Sequence, residues 1–220
     1  MLVKNDFKIL FQGDSITDDY RTAAIQDLRF FNGGEDLGVG YPKMVEAFMA
    51  AQYPELELHF FNRAISGNRT SDLLARWQED CLAINPDILV LLVGINDVWR
   101  KFDCNDPTPT EQFAQNYESL LRQAVEKNPE MKIIIIEPSY LNEPSQFTTD
   151  FRNELIDKIE AVRLLAKKYN AYYVPLDGIL CAISMQTSQR KWVFDDGVHL
   201  TNCGHGVLAK EVIKILESAD

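Results

Sequence analysis

Positive charge is scarce in this chain: 22 Lys and Arg stand against 33 Asp and Glu in 220 residues, a formal net charge of -11. Binding to nucleic acid relies on clustered cations that neutralise phosphates, so that class of partner is excluded, and the acidity favours solubility instead. Long apolar runs are also missing. Nothing approaches the roughly 18 uninterrupted apolar residues of a membrane span. The opening MLVKNDFKIL has no long apolar stretch before its first charges. The expectation is a cytoplasmic protein with neither a secretory leader nor a membrane partner. The four cysteines, Cys81, Cys104, Cys181 and Cys203, form no Cys-x-x-Cys pair, which excludes a zinc knuckle and a thioredoxin-type motif. They read as reduced thiols, with Cys203 a packing residue because no basic neighbour lowers its pKa. The glycines of NGGEDLGVG, Asn32 to Gly40, neither follow a strand directly nor fit Gly-x-Gly-x-x-Gly. No dinucleotide fingerprint is written there, and the stretch reads as a flexible loop leading into a helix.

What is present is an ordinary globular composition, 46% hydrophobic and 25% charged. At roughly 150 residues per domain, one domain spanning 1–220 is expected, with a substantial core. Five short runs rich in branched and aromatic residues read as strands: Phe7 to Phe11, Leu56 to Ile65, Asp87 to Gly94, Lys132 to Pro138 and Ala171 to Asp177. ILVLLV and IIII are apolar without alternation, the pattern of parallel strands covered on both faces by helices. Between and after them lie helical patterns at Pro42 to Gln52, Ser71 to Ile84, Thr110 to Lys127, Thr149 to Tyr169, Ile179 to Met185 and Cys203 to Ser218. Thr110 is placed to cap its helix, and Asn85-Pro86 and Asn128-Pro129 supply stops. The alternation predicts an α/β chain, a three-layer α/β/α domain around a parallel sheet.

In such a sheet ligands bind beyond the carboxyl ends of the strands, so the residues just after each strand are the informative ones. They are Gly13-Asp14-Ser15, Ser66-Gly67-Asn68, Gly94-Ile95-Asn96-Asp97 and, near the end of the chain, Asp196-Gly197-Val198-His199. A serine attacks a carbonyl only when a base takes its proton, normally an imidazole oriented by an acid. Of the three histidines, His59 lies in a strand and His205 in the last helical pattern, which leaves His199 as the best base. Asp196, three residues upstream, can fold back onto the imidazole, with Asp195 as the competing acid. The oxyanion of acyl transfer needs donors, and the N–H of Ser15, the N–H of Gly67 and the side-chain amide of Asn96 are available. Taken singly, Gly67-Asn68 reads more readily as a plain turn and Asn96 as a loop cap. Asp14 and Asp97 read as acids that hold loop backbone.

The set of motifs together resembles the SGNH hydrolases of the GDSL esterase superfamily. GDSI at Gly13 to Ile16, ISGN with Gly67, GIND with Asn96 and DGVH at Asp196 to His199 are similar to the family's first, second, third and fifth blocks and stand in its order. Ile16 replaces the leucine of the eponymous motif. Within that superfamily the stretches GDSITD, GYP, AISGNRTSDLLARWQED and VGINDVWR look closest to the intracellular bacterial acetylxylan esterases. The resemblance implies a flavodoxin-like five-stranded sheet in the order 2-1-3-4-5 and a two-step acyl-enzyme mechanism without metal or cofactor. It implies Ser15 as nucleophile, His199 as base and then acid, and Asp196 as its orienter. It also implies Ser15, Gly67 and Asn96 as oxyanion donors. Gly-x-Ser-x-Gly is absent, since Thr17 stands where that elbow needs its second glycine, which disfavours an α/β-hydrolase fold.

Trp99 and Arg100 suit a sugar's apolar face and hydroxyls and are read as substrate contacts together with Tyr140; Tyr20, Arg21 and Trp192 are weaker rim candidates. The expected function is a serine esterase removing acetyl groups from a small carbohydrate, most specifically a xylooligosaccharide. Two other readings stand beside it: a lysophospholipase or thioesterase for longer acyl chains, and an inactive carbohydrate-binding or scaffold protein on the same fold. The sequence leaves open whether copies of the chain associate.

Overall fold

A computed structural model describes residues 1–21, 36–141 and 149–218. Five parallel strands form one sheet in the order β2-β1-β3-β4-β5. They are β1 (Lys8–Gly13), β2 (His59–Asn62), β3 (Ile88–Leu92), β4 (Lys132–Ile136) and β5 (Tyr172–Val174). Every residue of β3 is buried, as its unbroken apolar run predicts for a central strand covered on both sides. Side chains alternate between two cores. Ile9, Phe11, Ile88, Val90 and Ile134 pack with α2 (Tyr41–Gln52) and α8 (Asn202–Glu217). Leu10, Leu89, Leu91, Ile133 and Ile135 pack with α3 (Thr70–Trp77), α5 (Thr110–Lys127) and α6 (Thr149–Lys168). The three-layer α/β/α architecture and the strand order are as expected.

Several boundaries differ for local reasons. The strand expected over Leu56 to Ile65 starts only at His59, because a 3-10 turn at Pro54–Leu56 and left-handed Glu57 precede it. It ends as a strand at Asn62, although the Arg63 and Ile65 N–H groups still donate to the Phe11 and Gly13 carbonyls at 3.0 and 3.2 Å. The helix expected to run to Ile84 ends at Trp77 and widens into a π turn closed by the Ala83 N–H on the Gln78 carbonyl at 2.9 Å. Thr110 is the first helical residue rather than the cap, which Pro109 occupies without a side-chain bond. α4 (Ile95–Asp103), where sequence reasoning saw only a loop, begins directly after β3. α7 (Leu176–Ser184) starts three residues earlier than expected. Cys203 is exposed and so is no packing residue; it lies in the first turn of α8, on the helix face turned to solvent. Residues 32–35 of the glycine-rich stretch lie outside the described residues, and 36–40 lead into α2 as expected. Among the described residues no helix is long and apolar enough to cross a membrane.

Candidate active site

β1 ends at Gly13, where an added Cβ would lie 2.1 Å from the Leu92 carbonyl oxygen; only glycine lets β1 press so closely on β3. The chain then turns into the single-turn helix α1 (Ser15–Asp18), capped by Asp14, whose Oδ1 accepts from the Ile16 N–H at 3.1 Å. Asp14 therefore fixes the turn that presents Ser15, as its place before the serine suggests. Burial pushes its carboxyl up to about 7, against the Ile16 hydrogen bond and the His199 charge, and its Oδ2 has no partner.

From Ser15 an unbroken polar chain runs to the other end of the sequence. Ser15 Oγ lies 2.8 Å from His199 Nε2, and His199 Nδ1 lies 2.6 Å from Asp196 Oδ2. The second carboxylate oxygen of Asp196 accepts from the N–H groups of Val198 at 2.8 Å and His199 at 2.9 Å. This turn aims the carboxylate back onto the ring. Asp195, the competing acid, is exposed and pairs with Arg190 at 3.1 Å. Burial raises the Asp196 pKa, but the hydrogen bonds from the His199 ring and the two N–H groups outweigh it and hold the carboxyl below its ordinary value. The Asp196 hydrogen bond raises His199 above 6.5; burial opposes it, and the charges of Asp196, Asp14 and Asp19 add to the rise.

The oxyanion candidates stand on the segments that follow β1, β2 and β3 at the same edge of the sheet. The Ser15 N–H is the first donor of α1, a position with no acceptor in the preceding helical turn. Gly67 takes a left-handed φ of +83°, which an L side chain rarely adopts. Asn96, on the first turn of α4, donates an amide hydrogen to the Asn68 carbonyl at 3.1 Å, which ties it to the Gly67 turn; an amide carries a second hydrogen that can serve an oxyanion. Asp97 holds the same turn from below, accepting from the Thr70 N–H at 3.0 Å and the Thr70 hydroxyl at 2.7 Å. Burial pushes Asp97 up to about 6 despite those bonds.

Two residues outside the expected set complete the frame. Asp18 Oδ2 accepts from the Ser66 N–H at 2.9 Å and the Ser66 hydroxyl at 2.7 Å, and Asn62 donates to the Thr17 carbonyl at 2.7 Å. The serine helix and the Gly67 loop are thereby one unit. No periodicity or spacing marks Asp18 or Asn62, because the link depends on how two loops meet in space.

The substrate-contact candidates divide. Trp99 lies against the base, its ring centroid 5.8 Å from that of His199 at a tilt of 53°. Arg100 reaches Gly67, its Nη2 3.7 Å from where a Gly67 Cβ would stand, and pairs with Asp103. Tyr140 does not reach the site: it is 1% exposed and packs on Phe151 with ring centroids 4.7 Å apart. Its position after β4 is covered by α6, and its backbone is held by Asp177 and Arg152, so it is a core residue rather than a contact. Trp192 is engaged with Thr187 and Lys191. Tyr20 and Arg21 line a cleft of about 550 Å³ that opens beside Ser15 and His199. Among the described residues no group of three or more His, Cys, Asp or Glu is disposed to hold a metal ion.

This arrangement can pass a proton from Ser15 to His199, and the accepting nitrogen must be neutral to do so. Because the fold raises the His199 pKa, kcat/KM should rise with pH along a limb centred above 6.5. Asp14, at about 7, titrates in the same range, so the limb belongs to the coupled groups. A limb at or below the free-imidazole value would contradict the geometry. The sign for stability is opposite: protonated His199 stabilises the fold fully below its unfolded value, and this is lost as pH rises through the raised folded value. Asp196, with a depressed pKa, stabilises above its unfolded value and loses this as pH falls through the folded one.

Comparison with known proteins gives a consistent result. The model of the GDSL-like lipase/acylhydrolase family matches residues 11–207. An acetylxylan esterase of Geobacillus stearothermophilus is 33% identical over 218 residues, covering 97% of this chain and 95% of that protein. Its crystal structure superposes with a TM-score of 0.85 at 28% identity, covering 100% of this chain and 98% of that one. Two further structures of that esterase are described as catalytic mutants, in which a serine and an aspartate are replaced by alanine. An α/β hydrolase from the metagenome of Lake Arreo, Spain, superposes with a TM-score of 0.84 at 27% identity, covering 98% of this chain and 97% of that one.

Proposed function

Because this chain belongs to the GDSL-like lipase/acylhydrolase family and is a carboxylic ester hydrolase, we propose that it removes acetyl groups from small carbohydrates, xylooligosaccharides above all, through an acyl-enzyme on Ser15. The observation that carries the mechanism is the continuous Asp196–His199–Ser15 chain at 2.6 and 2.8 Å. In the first half-reaction Ser15 Oγ attacks the acetyl carbon while its proton passes to His199 Nε2. The C–O bond to the sugar then breaks, and the imidazolium returns the proton to the leaving alkoxide. In the second half-reaction water attacks the acyl-enzyme, gives its proton to Nε2, and acetate leaves as Ser15 is reprotonated. Asp196 stabilises the imidazolium without taking its proton. The N–H groups of Ser15 and Gly67 and the amide of Asn96 receive the charge on the acyl oxygen in both halves.

The acetyl preference is supported by what stands around the oxyanion donors. Trp99 lies against the His199 ring and Arg100 beside Gly67, so two bulky side chains flank the donors assigned to the acyl oxygen. The acetylxylan esterase identity of the relative supports the sugar. In a series of esters of one alcohol, kcat/KM should fall about tenfold or more for each methylene the pocket rejects beyond acetyl. Trp99→Ala should flatten that series. Fastest turnover of long acyl chains would refute the acetyl assignment, and acetyl preference without sugar preference would refute the carbohydrate assignment.

A further inference from the structure

Beyond the acyl side, the structure presents a second half-site that the chemistry so far leaves unused. The cleft beside Ser15 and His199 has a volume of about 550 Å³, far more than an acetyl group needs and within the range of small-ligand pockets. Asp18, which ends the nucleophile helix, and Asp19, Tyr20 and Arg21, which follow it, form part of its wall. Phe194, from the turn that carries Asp196 and His199, forms another part. Gly67, Asn96, Trp99 and Arg100 do not line it. The acyl oxygen and acyl group therefore belong to one side of Ser15, and the cleft lies where the alcohol half of the ester must go.

At this cleft stand two large side chains that the fold leaves uncovered, Tyr20 at 83% and Phe194 at 57% exposure. Tyr20 is there at a conformational cost. Asp19 and Tyr20 are consecutive residues with positive φ, 28° and 58°, and a bulky aromatic in that region is a true outlier. Surrounding contacts enforce the turn. The Asp19 N–H donates to the Ser15 carbonyl at 3.0 Å, the Arg21 N–H to the Asp18 carbonyl at 2.8 Å, and the Val39 N–H to the Asp19 carbonyl at 3.0 Å. The Asp19 carboxylate lies 3.3 Å from His205 Nε2. Burial, and then the His199 charge, lower the His205 pKa to about 4, so this ring is neutral. Its Nδ1 accepts from the Tyr41 N–H at 3.1 Å, so the proton is on Nε2, facing Asp19. Strain held in this way is characteristic of functional sites. Phe194 is equally fixed: its N–H donates to the His199 carbonyl and its own carbonyl accepts from the Gly197 N–H, both at 2.9 Å.

We propose that Tyr20 and Phe194 are an aromatic clamp for the sugar ring of the leaving alcohol. The apolar C–H faces of a pyranose meet the two rings, while Asp19 and Arg21 supply an acceptor and donors at the same cleft for its hydroxyls. The clamp rests on the serine-esterase reading above and adds to it the residues that select the sugar.

The test compares kcat/KM for acetylated xylobiose with that for methyl acetate, whose alcohol is too small to reach the clamp, in the wild type and in Tyr20→Asn, Phe194→Ala and Tyr20→Phe. The saccharide-to-methyl ratio should fall about tenfold in each of the first two, through KM, and hold in Tyr20→Phe. Asparagine tolerates positive φ, so Tyr20→Asn should also raise Tm by about 2 °C while losing saccharide preference, a pairing that a merely structural Tyr20 does not produce. Unchanged ratios, or equal loss on both esters, would overturn the clamp while leaving the esterase intact. A wild type that hydrolyses methyl acetate with no saccharide preference would overturn the sugar assignment and the clamp with it. A wild type that hydrolyses neither would overturn the serine-esterase reading itself.

Discussion

Replacing Ser15 by alanine should lower kcat on an acetyl ester by about 10⁴- to 10⁶-fold while leaving the fold intact. The magnitude follows from the position of the hydroxyl. Ser15 Oγ is the one nucleophile in hydrogen-bond contact with His199 Nε2 among the described residues, and its removal leaves the imidazole nothing to activate but water. The exposed thiols of Cys104 and Cys203 offer no substitute: Cys104 ends α4 and Cys203 begins α8, and neither lines the cleft. Residual activity should come from the oxyanion donors alone. Ser15 is half-buried and sits on a turn fixed by Asp14, so the thermal midpoint of the variant should change little. A variant within tenfold of the wild type in kcat would remove the nucleophile from the mechanism.

Asp196→Asn should lower kcat by about 10⁴-fold at neutral pH, the next largest loss. The carboxylate accepts at three places: the His199 ring and the N–H groups of Val198 and His199. Asparagine can keep the backbone bonds through its oxygen, but its amide then faces Nδ1 as a donor. The imidazole is driven to the tautomer that carries its proton on Nε2, which cannot accept from Ser15. The same change removes the first cause of the raised His199 pKa, so the pH limb should move down as kcat falls. Asp195→Asn should do neither, because Asp195 is bound to Arg190 and turned to solvent. Equal losses in the two variants would mean that the turn, and not the Asp196 carboxylate, is what His199 requires.

The central sheet was legible because β3 and, past Lys132, β4 are buried on both faces, and that burial writes an unbroken apolar run into ILVLL and IIII. Ser15, Gly67, Asn96 and His199 were legible for a related reason: in a parallel sheet the ligand edge follows from strand ends, and each of these residues follows one or stands in a turn before a helix. α4 was not legible. Its first turn, Ile-Asn-Asp-Val, buries two polar residues whose hydrogen-bonding partners, Asn68 and Thr70, come from another loop, so no apolar periodicity announces a helix. The rule that found Asn96 also misplaced Tyr140. Both follow a strand, but the residues after β4 are covered by α6 and bound to Asp177, which no one-dimensional pattern records. Exposure is invisible in the same way. Phe194 has the composition of a core residue and stands uncovered beside the base, whereas Cys203 looked like packing and faces solvent.

The central claim is that an acyl group is carried on Ser15. It is tested most directly by quenching a rapid reaction with an acetyl ester in acid and mapping the added mass by peptide mass spectrometry, with and without prior treatment by a fluorophosphonate. The account predicts one acetyl group on the peptide containing Ser15. It also predicts loss of that label in Ser15→Ala, and its replacement by the phosphonate adduct at the same residue when the inhibitor is added first. Acetyl transfer to any other side chain, or full turnover after Ser15 is blocked, would contradict it.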